Sequence, residues 1–209
     1  MAGLPWGRVV TEPADEELIA RYRDGDAQAF KILVRRHQRP LYNFTLRQVH
    51  SPSTAEDIVQ DVFVRIVHNV ETFKAESKFT TWAYTIARNL CIDHLRKRVH
   101  RRHPSLDAPV SESEGGATLM ETVAGKGAGA DRSAINKQLQ EHLRTAVEAL
   151  PDDQREVFLL RQVSDLPFKE IAEIVGVGEN TVKSRMRYAL ERLQAALSEF
   201  EDYAKGLSG

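Results

Sequence analysis

The sequence FTTWAYTIARNLCIDHLRKRVHRR, at Phe79 to Arg102, decides the fold of the first half of the chain. At 100° per residue, one side of this helix is an apolar stripe of the kind that faces a core. That stripe comprises Phe79, Trp82, Ala83, Ile86, Ala87 and Leu90, and the opposite side carries Thr81, Tyr84, Thr85, Arg88 and Arg96. From Arg88 to Arg102, six basic residues stand against one acid. Since aromatic rings stack on bases and arginines hold phosphates, the polar side predicts either nucleic-acid contact or a solvated helix end.

The composition narrows the class of protein. A chain of 209 residues suffices for one large or two small domains, and its net charge of −1 favours no partner by itself. The single cysteine, Cys91, excludes an internal disulfide and a thiolate metal cage made by one chain. No stretch has the apolar core of a signal peptide or the ~20 apolar residues of a membrane span. We therefore expect a soluble, cytoplasmic protein without membrane insertion.

Three further helical patterns precede the quoted stretch. Asp15, Asp26 and Ser53 are predicted to cap them, Ser53 through the spacing of a capping box with Glu56. Pro40 is expected to kink or divide the second of these helices. No stretch alternates at period two for long enough to predict a strand. The sequence therefore predicts an all-α first domain at residues 14–103, after a disordered lead-in at residues 1–13.

Residues 104–133 change composition abruptly, with five glycines, two prolines and no aromatic residue. This segment is predicted to be a flexible linker between two small helical domains. Residues 134–209 are predicted to be helical again, with a first helix that Pro151 stops. Two glycines, Gly176 and Gly178, then separate a short apolar helix from a long one.

The short helix, the glycine turn and the polar opening of the long helix predict a helix-turn-helix. Its packing residues are predicted to be Ile171, Ala172, Ile174 and Val175 against Val182 and Met186. The residues left to reach a major groove are Asn180, Thr181, Lys183, Ser184, Arg185 and Arg187. The competing interpretation is an ordinary helical hairpin.

Two motifs together resemble one family. DIVQDVF at residues 57–63, followed by the helix at Phe79 to Arg102, is similar to the promoter-melting domain of bacterial sigma-70-family factors. The segment at residues 150–193, which begins LPDDQREVFLL, resembles the domain of that family that reads the −35 promoter element. A short linker replaces the long intermediate domain of housekeeping members. That layout is typical of the extracytoplasmic-function (ECF, group IV) subfamily.

The resemblance implies a role for each matching residue. The segment that docks on core RNA polymerase is matched by Asp57, Gln60, Asp61 and Phe63. The helix that lies against the single-stranded −10 element, with the loop before it, is matched by Lys78, Trp82, Tyr84, Thr85, Arg88, Asn89 and Arg96. For Trp82 the resemblance implies a wedge, whereas the helical wheel places it in the core. The helix that reads duplex −35 DNA is matched by Thr181, Lys183, Ser184 and Arg185. Tyr188 departs from the arginine that often follows one turn later in the family, so part of that contact is expected to move to Arg187.

No motif indicates catalysis, a cofactor or a metal. The sequence has no glycine-rich phosphate loop, paired metalloprotease histidines or serine elbow. His100 and His103 have the spacing of metal ligands, but in a basic segment they more often contact phosphate or solvent. The expected protein is a promoter-specific initiation factor whose partners are core RNA polymerase, promoter DNA and an anti-sigma factor. The alternatives are a one-component helix-turn-helix regulator with a helical sensor domain, and an interaction adaptor without DNA contact.

Overall fold

A computed structural model describes the backbone of residues 12–74, 77–102 and 130–207, and the side chains of residues 12–74, 77–98 and 138–198. Within these ranges the chain forms helices and no strand, which confirms the predicted all-α class. The helices are α1 (Asp15–Arg23), α2 (Ala27–Val49), α3 (Pro52–His68), a 3-10 helix (Val70–Thr72), α4 (Phe79–Arg102), α5 (Ala130–Glu148), α6 (Asp152–Gln162), α7 (Phe168–Val175) and α8 (Glu179–Leu207). None of the helices in the described ranges is long and apolar enough to cross a lipid bilayer.

Helices α1 to α4 form the first bundle, and their ends follow from local chemistry. Asp26 caps α2 as predicted, because its carboxylate accepts hydrogen bonds from the backbone N–H groups of Gln28 and Ala29. The cap of α3 is Ser51 rather than Ser53, so that prediction is wrong. The Ser51 hydroxyl accepts from the Thr54 N–H, and Pro52 takes the first helical position, where it needs no N–H partner.

Asp15 does not cap α1, because its side chain is used elsewhere. The residue before the helix is Ala14, which makes no side-chain cap bond. Asp15 Oδ2 instead lies 2.7 Å from His37 Nε2, and Oδ1 accepts from Arg36. Burial alone would raise the pKa of Asp15, but the hydrogen bonds and charges of His37 and Arg36 lower it below its ordinary value. The residue predicted as a cap therefore joins α1 to α2.

Pro40 lies inside α2, which the structure shows as one undivided helix. A proline at such a position costs about 3 kcal/mol. The helix buries Leu33 before the proline and Leu41 and Phe44 after it, each with no exposed surface. Each such side chain contributes about 1.5–3 kcal/mol on burial, so packing outweighs the cost and holds the helix in one piece.

The core of the first bundle lies between α2, α3 and α4. Aromatic rings from different helices meet there, with Phe44 and Tyr84 at 5.5 Å and His37 and Phe79 at 5.1 Å between centroids. Its buried side chains include Leu18, Ile19, Leu33, Leu41, Phe44, Val62, Ile66, Phe79, Ala83 and Ala87. The predicted stripe of α4 is thus largely correct.

Helices α5 to α8 form the second bundle, and α7 and α8 meet in a helix-turn-helix arrangement. Gly176 ends α7 with a φ of 73°, a left-handed conformation that a side chain disfavours. Ile171, Ile174, Val182 and Met186 are buried, as predicted for the packing between the two helices. Helix α5 begins at Ala130, four residues earlier than its predicted start at residue 134. The predicted lead-in at residues 1–11 and most of the predicted linker lie outside the described residues.

The two bundles pack against each other in this structure. Helix α7 lies on α4, and α6 lies on α2. Polar contacts join the two units, among them hydrogen bonds from α4 to α6 and α7. The polar side of α4 therefore faces the second bundle rather than open solvent along part of its length.

Candidate nucleic-acid and polymerase interface

The polar side of α4 holds the residues predicted to contact the −10 strand, in different states of exposure. Asn89 and Arg96 are exposed, and Thr85 is half-buried with its hydroxyl donating to the Thr81 carbonyl at 2.7 Å. Lys78, just before the helix, is exposed and lies 3.8 Å from Glu16. These four side chains lie along α4 and the residue just before it, and they can present positive charge and hydrogen-bond donors to a phosphate backbone.

Arg88 is engaged by the second bundle. Its Nε donates to Glu156 Oε1 at 2.7 Å and its Nη2 donates to Glu156 Oε2 at 3.3 Å, which is a two-pronged contact of guanidinium with carboxylate. The side chains of Arg88 and Glu156 are only 23% and 14% exposed. A guanidinium can hold a phosphate with the same fork of donors.

Tyr84 is placed differently from its prediction. The helical wheel puts it on the polar side, but it is 2% exposed and its ring meets the edge of Phe44. Burial raises the pKa of its phenol to about 12. The helical wheel predicts the wrong side for Tyr84 because it assumes that one apolar stripe of α4 is covered. In the structure, Phe44 of α2 and the second bundle together cover a wider part of the helix. In this arrangement Tyr84 is closed to a DNA base.

Trp82 lies between its two predicted roles. It is half-buried and packs against the core, with its ring 5.1 Å from that of Phe73 and 6.4 Å from that of Phe79. An indole that packs on one face and retains some exposed surface on another can support the core and still meet a base.

The beginning of α3 presents an exposed polar surface. Asp57, Gln60 and Asp61 are exposed, and their side chains make no ion pair or hydrogen bond within the described segments. Phe63 is half-buried, with its ring 6.2 Å from that of Phe30, so it belongs to the edge of the core. The same helix exposes Val64 at 51% and Val67 at 37%.

These two valines extend the surface that the sequence predicted. Gln60, Val64 and Val67 recur at the spacing of one helix face, so apolar area continues directly from the polar segment. Exposed apolar area beside unpaired polar groups is typical of a protein interface. The sequence contains a signal for this apolar surface. The apolar residues of α3 cover more of the circumference of the helix than contact with one core requires.

The beginning of α8 carries the residues predicted to read duplex DNA. Asn180, Thr181 and Lys183 are exposed, and Lys183 Nζ lies 2.7 Å from Glu179. Ser184 and Arg185 are half-buried. These side chains project from the first turns of the second helix of the motif, the part that enters a major groove.

Arg185 and Arg187 have internal partners. Arg185 Nε lies 3.1 Å from Asp153 of α6, and its side chain is 25% exposed. Arg187 lies 3.7 Å from Glu191 and its guanidinium sits 4.9 Å from the centre of the Tyr188 ring. Both pairs involve carboxylates that are about half exposed or more, so DNA phosphates can replace them at little cost.

The described side chains form no group of three or more potential metal ligands. His100 and His103 lie outside the described side chains. Burial, with a smaller contribution from the nearby Glu156 charge, raises the pKa of the Cys91 thiol to about 12. Cys91 is therefore a neutral core residue rather than a nucleophile or a ligand.

Comparison with known proteins gives consistent matches to one group. Family models described as Sigma-70 region 2 and Sigma-70, region 4 match residues 33–101 and 140–193. The ECF RNA polymerase sigma factor SigW of Bacillus subtilis is 32% identical over 87% of this chain and 95% of its own length. The ECF RNA polymerase sigma-E factor of Escherichia coli K12 is 31% identical over 86% of this chain and 92% of its own. The sigma factor RpoE of Bartonella quintana, solved in complex with the anti-sigma factor NepR, has a TM-score of 0.66 and 28% identity over 82% of this chain and 98% of its own.

Proposed function

Because this chain belongs to the ECF family of RNA polymerase sigma factors, we propose that each of its helical units has one of the family's tasks. Residues 14–103 bind core polymerase through α3 and hold the unpaired −10 strand on α4. Residues 134–209 read the −35 duplex with the start of α8. As a sigma factor, the protein directs promoter recognition and the initiation of transcription, and membership of this family sets aside the one-component regulator.

The observation that carries the assignment of α4 is the way Arg88 holds Glu156. This two-pronged carboxylate contact supports the assignment, because a guanidinium that holds one oxyanion at the centre of the polar side can hold another there. Thr85, Asn89 and Arg96 continue the same side. Taking a base out of the duplex costs a few kcal/mol, which stacking and fixed positive charge can repay. The α4 surface supplies both, with Trp82 as the accessible ring.

The two tasks require the units to stand apart. Promoter boxes one to two helical turns apart are separated by roughly 34–70 Å. Residues 103–129, which lie outside the described segments, separate the two units along the chain. A chain of that many residues can reach at most about 90 Å, which exceeds the separation of the two boxes. Any chemistry then belongs to the polymerase.

We expect a start-site experiment to test the function as a whole. The purified chain is added to core polymerase with a promoter library, and the transcripts are mapped. The expected result is a set of start sites that share −10 and −35 boxes and are absent with core polymerase alone. Start sites without shared boxes would contradict the assignment.

Arg88→Ala in the same holoenzyme tests the role of α4. We expect promoter opening, measured by permanganate reactivity of unpaired thymines, to fall more than duplex binding. The control is Lys31→Ala, which removes an exposed charge from α2. Normal opening by Arg88→Ala once bound would remove α4 from the melting step.

An anti-sigma factor is the third proposed partner. The support is the Bartonella quintana relative, which was solved with such an inhibitor. The protein is recovered from its host during unstressed growth, and any bound protein is tested for inhibition of the reconstituted holoenzyme. Transcription that is unaffected by every recovered protein would contradict this proposal.

A further inference from the structure

The second bundle covers the polar side of α4 with two carboxylates. Glu156 of α6 holds Arg88, and Glu170 of α7 accepts hydrogen bonds from the hydroxyls of Thr80 and Thr81 at 2.8 and 3.3 Å. Glu156 is 14% exposed, and Thr80, Thr81 and Glu170 are half-buried. Both carboxylates therefore lie within the contact between the bundles.

We propose that this contact is a latch, in which Glu156 and Glu170 occupy the phosphate positions of α4 and keep the unassembled sigma factor from binding the −10 strand. The proposal rests on the assignment of α4 to that strand. A carboxylate presents two oxygens to a guanidinium in the same plane as a phosphate does. One oxyanion excludes the other, so latch and strand compete for the same donors.

In the closed arrangement, the two helices proposed to read DNA, α4 and α8, are too close together to reach both promoter boxes. Packed helices have axes about 8–10 Å apart. Helix α7 packs on both α4 and α8, so the start of α8 lies within roughly 25 Å of α4. The two promoter boxes are separated by roughly 34–70 Å. The closed protein cannot reach both, and the latch must open before a promoter is bound.

The composition of the contact allows it to open. It joins the bundles through charged and hydroxyl groups, which water and phosphates can replace, and Ser164, between α6 and α7, lies beside the Tyr84 phenol. Opening releases Arg88, Thr80 and Thr81 together and uncovers Tyr84 on the side facing the second bundle. In the closed state, the latch therefore prevents both the Arg88 charge and the Tyr84 ring from contacting the −10 strand.

The double variant Glu156→Gln with Glu170→Gln tests the latch, because it keeps the side-chain volumes and removes the charges. Glu173→Gln is the matched control, since Glu173 is an exposed carboxylate on the same α7 and makes no ion pair within the described segments. The full chain carries dyes at Arg23→Cys and Glu191→Cys, both exposed positions, in a Cys91→Ala background. Energy transfer between the dyes reports the separation of the bundles without DNA.

The second measurement is the affinity of the unlabelled chains for a short fluorescent single strand that carries the −10 sequence from the mapped promoters. The apparent affinity is lowered by the fraction of molecules that are closed. We expect the double variant to show lower energy transfer and roughly tenfold tighter binding of this strand than the wild type. The Glu173→Gln control should match the wild type in both measurements.

A variant in which the two charges are exchanged tests the latch separately from the binding of the −10 strand by α4. Arg88→Glu with Glu156→Arg should restore the high energy transfer that Arg88→Glu alone loses, while strand binding stays weak in both. Unchanged energy transfer in the double glutamine variant would overturn the latch. Lower energy transfer without tighter strand binding would show that the covered side is not the strand-binding side, and would overturn the assignment of α4 instead.

Discussion

Reversing the charge of Asp61 should separate this sigma factor from core polymerase without unfolding it. Asp61 is exposed near the middle of α3, and its carboxylate makes no ion pair or hydrogen bond within the described segments. A surface substitution of this kind changes stability by about 0.5 kcal/mol or less. Asp61→Arg should therefore leave the unfolding midpoint of the protein nearly unchanged.

The effect on binding is expected to be much larger. If Asp61 meets a basic partner at the centre of the interface, the variant loses one attraction and gains one repulsion. Breaking a buried charge pair at an interface costs about 2–5 kcal/mol, which corresponds to a loss of roughly 30-fold to several thousand-fold in affinity. The neighbouring exposed surface of Val64 and Val67 excludes water from such a contact and favours the upper part of that range.

The assay is a titration of labelled sigma factor with core polymerase, beside a thermal melt of each variant. Asp24→Arg is the matched control, because it reverses an exposed charge in the turn between α1 and α2. Wild-type affinity of Asp61→Arg in a folded protein would remove this part of α3 from the interface. Equal losses for Asp61→Arg and Asp24→Arg would show a non-specific charge effect, which also refutes the reasoning.

Two further predictions concern the −35 helix and the acid stability of the first bundle. Arg185→Ala should weaken promoter use and relax the preference at particular −35 positions by about 1–3 kcal/mol, as measured on a randomised −35 library beside Arg192→Ala; a uniform loss would make Arg185 a phosphate contact. The lowered pKa of Asp15 means that its stabilising contribution is present above its ordinary value of 3.8 and is lost as the pH falls through the lower folded value. Acid unfolding of the wild type should therefore lose a contribution below about pH 4 that Asp15→Asn lacks, and identical pH profiles would contradict the role of the contact with His37.

Patterns that depend on neighbouring residues were predictable from the sequence. The bounds of α4 and α7 follow from apolar periodicity, and Gly176 stops α7 because its left-handed φ favours a residue without a side chain. The cap at Asp26 is equally local, since its carboxylate reaches N–H groups two and three residues on. The helix bounds, the stop at Gly176 and the cap at Asp26 each depend on residues that are close together in the sequence.

Competition between distant partners was not predictable in the same way. Asp15 has the position of a cap, but His37 and Arg36 offer it two charge-assisted hydrogen bonds, which are stronger than a bond to a backbone N–H. Ser51, rather than Ser53, caps α3 because Pro52 is favoured at the first helical position, which makes the residue before it the cap. Capping preferences identify the residues that are able to cap a helix. Which of them does so depends on the contacts that each one makes in the folded protein.

The polar side of α4 shows the same limit at the level of function. From the sequence, Arg88 indicated either nucleic-acid contact or solvent, because helical periodicity separates only core from non-core positions. The structure supplies a third occupant, a carboxylate 68 residues away in the chain. The three are hard to distinguish from sequence, since a guanidinium accepts any oxyanion that fits its fork of donors. A side of a helix that must bind DNA in one state and a protein carboxylate in another will therefore carry one set of residues for both. In the proposed latch those residues are Arg88 and the hydroxyls of Thr80 and Thr81, and the position of the second bundle selects between the two partners.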